Sequence, residues 1–315
     1  MSNSRRKFIK NAGVMAVAAP LVSSPINWFN KAQPNTPLEI HLFSKHLHFL
    51  SIKEAGYKAA ELGFAGLDLT VRPKGHVLPE NVETDLPKAI QDIKEAGSTC
   101  EMMTTAISDA ANPLDVDVIK VAAAEGVKHY RSDWFRFKEN QSLEASLDYY
   151  EKKVQELSQL NKEHNIIGCY QNHSGTKVGA SIWEVKKILG TADSAYFGAQ
   201  YDIRHAVAEG GRSWSNGVKL IKDQIKTIVL KDFKWGKVNG KWKIVNVPIG
   251  EGMVDFKSYF KLLKKYGLKP PVSLHLEYPL GGAEKGKFEI TVEHEVVFDA
   301  MKKDLALIQQ LWMDA

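Results

Sequence analysis

From about residue 38 onward, apolar residues fall into two alternating patterns. Eight short runs read as strands: LEIHLF (38–43), GLDLTV (66–71), TCEMMTTAI (99–107), KHYRS (128–132), IIGCYQ (166–171), YFGAQYD (196–202), KTIVLKD (226–232) and PVSLHLEY (271–278). The segments 51–62, 82–97, 116–127, 143–165, 182–190, 216–224, 254–267 and 292–312 carry apolar residues at three- and four-residue spacing, as amphipathic helices do. Strict alternation predicts an α/β chain, a parallel eight-stranded (β/α)8 TIM barrel over 38–315. A doubly wound sheet would need a glycine-rich first turn, and no Gly-x-Gly-x-x-Gly follows the first run. Asn239-Gly240 sits between two alternating runs and predicts a β-hairpin inserted after strand seven, on the face where barrel enzymes keep their sites.

Side chains alternate along a strand, so residues two apart share a face. Gln171 and His173, Gln200 and Asp202, Val229 and Lys231, and His275 and Glu277 share one parity near the C-terminal ends of four consecutive strands. The opposite parity carries Tyr170, Tyr201, Ile228, Leu230, Leu274 and Leu276. A surface that packs on helices must be apolar, so the polar parity faces the barrel axis; Asp68 and Thr70 join it from strand two. Carboxylates placed there need partners, because an unpaired charge away from water is costly. His41, His129 and His164 read as structural.

The N-terminus modifies this picture. Ser4, Arg5, Arg6, Phe8, Ile9 and Lys10 fit a twin-arginine export pattern ahead of a short apolar segment at 12–22. That segment is shorter than the roughly 20 residues a spanning helix needs. Residues 1–32 are therefore expected to be a signal peptide and linker, with the mature protein periplasmic or extracellular and not stably inserted in a membrane. Of 42 basic residues, Arg5, Arg6, Lys7, Lys10 and Lys31 precede the first acidic one, Glu39; the remainder balances the 37 acidic residues. A neutral domain lacks the field expected of a nucleic-acid binder. The two cysteines, Cys100 and Cys169, lie in apolar runs and read as buried thiols.

LFSKHL (42–47), YQNHSG (170–175), YDIRH (201–205), LKDFKW (230–235), PIGEGMVDF (248–256) and HLEY (275–278), in this order, make residues 38–312 resemble the xylose isomerase-like sugar isomerase/epimerase barrels. The resemblance implies one divalent metal held by a Glu, an Asp, a His and a Glu on strands five to eight. It implies Asp202 as the metal Asp, His205 as a substrate-binding imidazole on the loop above, and Glu277 as ligand or base. Gln171 and Val229 stand where a Glu and a His are usual, which leaves two arrangements open. Gln171, His173, Asp202 and Glu277 could form a mixed site for Mn, Co, Mg or Zn, or Lys231 could supply the positive charge itself.

Either arrangement suits removal of a proton next to the carbonyl of a keto sugar or glycoside, which needs a base and a cation at the enediolate oxygen. Glu277 is the candidate base, Lys231 and His173 are further catalytic candidates, and His205, Gln171, His275, Asp68 and Trp235 are candidates for holding a carbohydrate. Trp235 and Trp242 on the hairpin serve a sugar face or each other about equally well. The glycines of GEGMVDF suit an anion cradle, but Asp255 as a helix cap is the stronger reading. The GGAEKG loop at 281–286 is expected to be mobile. A homo-oligomer is compatible with the sequence. A carbohydrate-binding barrel without turnover, and an abasic-site endonuclease relative, are the rival classes; the charge balance speaks against the latter.

Overall fold

The computed structural model describes residues 36–315, so the export motif lies outside the described residues. In chain order the elements are β1 (Ile40–Phe43), α1 (Ile52–Leu62), β2 (Gly66–Val71), α2 (Val82–Glu95), β3 (Met102–Thr105), α3 (Pro113–Ala124), β4 (His129–Arg131), α4 (Leu143–His164), β5 (Ile167–Gln171) and α5 (Ile182–Ile188). They continue with β6 (Phe197–Asp202), α6 (Ile203–Gly210), α7 (Trp214–Ile221), β7 (Ile225–Leu230), β8 (Asp232–Val238), β9 (Lys241–Val247), α8 (Phe256–Lys265), β10 (Val272–Leu274) and α9 (His294–Met313).

The barrel closes in the order β1-β10-β7-β6-β5-β4-β3-β2, every pair parallel, as the alternation predicts. β8 and β9 form the expected antiparallel hairpin, turning at Asn239 and Gly240, both at positive φ. The eighth barrel strand is shorter than its apolar run: β10 stops at Leu274, so His275 and Glu277 stand just beyond it, on irregular backbone.

The strand parities sort as expected. Tyr130, Tyr170 and Tyr201 lie in the core under the helices, their hydroxyls donating to Asn161 Oδ1, the Val178 carbonyl and the Trp214 carbonyl. Each ring thereby buries its apolar body without orphaning its O–H. Cys100 and Cys169 are free and buried, and burial pushes both thiols up to about 12. The 281–286 loop is held rather than loose: the Glu284 carboxylate accepts N–H groups from Leu280 and Gly282, and the Ala283 carbonyl contacts His46 Nδ1.

One local device decides which way strand seven ends. Asp232, immediately after Lys231, receives the backbone N–H groups of Phe233 (2.8 Å), Gly250 (3.0 Å), Gly252 (3.0 Å) and Val254 (3.2 Å). The anion cradle of GEGMVDF thus exists, and its anion is the chain's own carboxylate, while Asp255 caps α8 through the Ser258 N–H. A Cβ at position 252 would run into the Asp232 carboxylate, so glycine is needed there for close approach. Because successive side chains alternate, anchoring Asp232 in that loop turns Lys231 the other way, into the barrel mouth.

Asp232→Ala is expected to lower unfolding free energy by about 2–4 kcal/mol in denaturant titrations, since it orphans several buried donors. Asp232→Asn, which keeps one acceptor oxygen, should lose less.

Candidate active site

Asp202 ends β6 and caps α6. Its Oδ1 accepts the His205 N–H at 3.1 Å, so the three-residue spacing in YDIRH is that of a helix N-cap. His205 therefore lies in the first turn of a helix, not on a loop as the sequence suggested. Asn172 fastens the same corner: its Oδ1 accepts the Asp202 N–H (2.8 Å) and its Nδ2 donates to the Asp202 carbonyl (2.9 Å), so one side chain bonds both backbone groups.

The other Asp202 oxygen faces the mouth. Oδ2 lies 2.9 Å from Lys231 Nζ and accepts from Gln171 Nε2 at 2.7 Å, all three residues being buried. Lys231 Nζ is also 2.9 Å from His205 Nε2, while His205 Nδ1 is 2.7 Å from Ser174 Oγ and 2.9 Å from Arg204 Nη1. The His173 ring packs between Trp134 (4.5 Å between centroids) and His205 (4.1 Å), its Nδ1 against the Ser174 carbonyl.

Across the mouth Glu277 accepts from Lys45 Nζ through both oxygens, at 2.9 and 3.0 Å, with 24 % of its side chain exposed. Its Oε1 is 3.6 Å from His275 Nδ1. His275 is stacked on Phe43 at 4.2 Å, and its Nε2 is 3.0 Å from Ser273 Oγ, which donates to Asp68. These groups, with Arg72, Arg131, Arg204 and Asn246, line a cleft of about 250 Å³.

The electrostatics follow from burial beside cations. Burial, reinforced by Lys231, holds His173 at about 4 and His205 well below 6.5; burial holds His275 low as well, so all three imidazoles are neutral at pH 7. Desolvation works to raise Glu277, but the His275 contact and the charges of Lys45 and Lys231 outweigh it and hold the carboxyl well below 4.5.

Several sequence-based assignments change here. Asp68 is not a substrate ligand: fully buried, it accepts from Thr104 and Ser273 and anchors the chain that orients His275. Trp235 is 44 % exposed, packs edge-on to Phe233 and is not in the cleft lining; the hairpin contributes Asn246 instead, which accepts from Arg204 Nη2 and donates to the Glu277 carbonyl. The parity rule overlooked Lys45, Arg72, Arg131 and Arg204. Arg131 shares the inward face of β4 with His129, a signal that a three-residue strand makes easy to miss.

The proposed ligands Gln171, His173, Asp202 and Glu277 do not present the bare, converging lone pairs a divalent ion requires. Asp202 Oδ2 is occupied by two donors, Gln171 turns its amide N–H₂ toward it, Val229 offers no ligand atom, and both Glu277 oxygens lie on Lys45. Lys231 fills the cation position beside Asp202. Among the described residues, a cluster of carboxylate and imidazole atoms mutually within 4.8 Å is Glu39, His41 and Glu101, which sit at the opposite, N-terminal end of the strands.

The model of the xylose isomerase-like TIM barrel family matches residues 51–293, and the chain belongs to that family. No curated protein matches it by sequence. Among solved structures it is similar to D-allulose 3-epimerase from Methylomonas sp. (15 % identity, 87 % of this chain and 98 % of that one, TM-score 0.64). It is similar to 3-keto-D-glucoside 4-epimerase from E. coli (14 %, 87 % and 99 %, 0.62). A third is a xylose isomerase-like TIM barrel protein from Mycobacterium smegmatis in complex with magnesium (10 %, 88 % and 97 %, 0.63). At such identities the likeness establishes the fold.

Because Lys45 helps keep Glu277 ionised, Lys45→Met should raise the Glu277 carboxyl toward 4.5. Carbon NMR titration of the side-chain carboxyls, with Glu277→Gln identifying the signal, checks this; a titration unmoved by the substitution would contradict it.

Proposed function

We propose that this protein is a sugar isomerase or epimerase that moves a proton on the carbon next to a carbonyl, with Lys231 rather than a divalent ion as the cation facing the enediolate oxygen. The observation that supports the reading best is the pairing of Lys231 with Asp202 and His205 in the same cleft as Glu277, which follows the neighbouring strand β10.

Asp202 and Gln171 hold Lys231 at the rim, so its positive charge is in place before any substrate arrives. Glu277 is the group that takes the carbon-bound proton. Its lowered pKa keeps it ionised far into the acid range, and displacement of Lys45 by substrate would restore basicity where it is used. His205 and His173, neutral and in tilted ring contact, are suited to hydrogen-bond substrate hydroxyls and carry protons between adjacent oxygens. The chemistry of the fold's structural neighbours, epimerases of keto sugars, agrees with this class of reaction. The N-terminal motif supports an exported location; fractionation of cells expressing an Arg5→Lys, Arg6→Lys chain tests that part, retention in the cytoplasm being the expected result.

The test of the chemistry is deuterium uptake from D₂O at carbon next to the carbonyl, followed by NMR across a panel of keto sugars and keto glycosides. Lys231→Met should slow exchange about 10²–10³-fold, as loss of one oxyanion partner does, and Glu277→Gln about 10²–10⁴-fold. Exhaustive dialysis against a chelator should leave the rate unchanged. Tight sugar binding with no exchange would point instead to a carbohydrate-binding barrel, and exchange lost on chelation would overturn the role given to Lys231.

A further inference from the structure

Five cationic side chains line the cleft: Lys45, Arg72, Arg131, Arg204 and Lys231. Two of them are neutralised, Lys231 by Asp202 and Lys45 by Glu277. The three guanidinium groups form no ion pair: among the described residues no carboxylate oxygen lies within 4 Å of Arg72, Arg131 or Arg204, and carboxylates such as Asp68 and Asp133 act on them only from farther off. Arg204 is spent on neutral partners, Asn246 Oδ1, Ser174 Oγ and His205 Nδ1.

Arg72 and Arg131 are committed to still less. Arg131 is 3 % exposed; it donates from Nη1 to Gln171 Oε1 at 3.2 Å, lies 4.1 Å over the Trp134 ring, and leaves its Nε without a partner. Arg72, just past the end of β2, rests 5.4 Å from the Phe43 ring. The two repel each other: burial and the neighbouring Arg72 charge push Arg131 down to about 10, outweighing the opposite pull of the nearby Asp68 and Asp133 carboxylates. Lys177 adds a further positive charge 3.8 Å from the Trp134 ring. Unneutralised charge in a part-buried cleft is destabilising unless a ligand offsets it.

Their strands differ from that of Lys231, although Arg131 reaches Asp202 through Gln171 and Arg72 shares the Phe43 ring with Lys45. In the closed order of strands, β3 stands diametrically opposite β7, and Arg72 and Arg131 come from β2 and β4, which flank β3. Lys231 follows β7, and Glu277 follows its neighbour β10. An enediolate forming at Lys231 would thus leave the guanidinium pair free for another part of the same molecule.

We infer that the substrate is an anionic sugar, carrying a carboxylate or phosphate group at the end of its carbon chain remote from the carbonyl, and that Arg72 and Arg131 bind that oxyanion. The paired forks suit bidentate contact with either group, and the cleft, at about 250 Å³, admits a single sugar unit. The inference rests on the isomerase reading for which end of the sugar reacts, but anion selectivity is measured without any turnover.

The experiment is calorimetric titration of the full chain with D-fructose, D-fructuronate and D-fructose 6-phosphate, which share one carbon skeleton and differ only at C6. At least one anionic sugar should bind tenfold or more tightly than D-fructose, and the stronger of the two tells carboxylate from phosphate. The advantage should shrink as salt is raised. Arg72→Gln should bring the anionic sugar's affinity down to that of the neutral one, and Arg131→Lys, which keeps charge but loses the fork, should remove most of the preference; thermal melts report whether each variant is folded. Equal affinity for all three sugars, binding of none, or a preference that survives in both folded variants overturns the inference. Anion-selective binding with no deuterium exchange would sink the isomerase reading alone, whereas exchange of neutral sugars without anion preference would sink this one alone.

Discussion

A buried lysine and a buried aspartate, 2.9 Å apart at the rim of the barrel, govern the arrangement of the groups around them. Neither would survive there singly, because an isolated charge so placed would neutralise or destabilise the fold. Each is therefore held by further bonds. Asp202 is gripped through its side chain by Gln171 and the His205 N–H, and through its backbone by Asn172. Lys231 is aimed by its neighbour Asp232, whose carboxylate is locked into the loop after the hairpin by four N–H groups. The glycine-rich turn thus does structural work for the site, and the hairpin adds Asn246 to the cleft lining.

This pairing also sets the charge of the mouth. Burial, reinforced by the Lys231 charge, keeps the neighbouring imidazoles neutral, and the His275 contact with the Lys45 and Lys231 charges keeps Glu277 ionised. The cleft is then lined by hydrogen-bond donors, neutral imidazoles and one ionised carboxylate that is not fully buried, Glu277. It differs from a divalent centre in a specific way: an ammonium offers directional hydrogen bonds and no open coordination positions.

The opposite half of the mouth has another character. Arg72 and Arg131 lie against aromatic rings and an amide, and the nearby Asp68 and Asp133 carboxylates act on them without forming an ion pair. The mouth therefore holds two ion-paired cations and, around β2 and β4, guanidinium groups without an ion pair.

The eight-fold alternation, the inward parity of Gln171, Asp202, Lys231 and Glu277, the Asn239-Gly240 turn and the Asp255 cap were all legible along the chain, because each depends on residues a few positions apart. Strand period, helix period and turn dihedrals are local constraints, and composition expresses them directly. Partner choice is not local. That Glu277 meets Lys45, 232 residues away, that Asp232 fills the cradle at 250–254, that Trp235 faces away from the cleft while Asn246 lines it, and that three arginines converge without a carboxylate, all depend on how the closed ring of strands sets its ends side by side. Parity tells which face of a strand a charge occupies; only closure of the barrel decides which opposite charge, if any, it meets there.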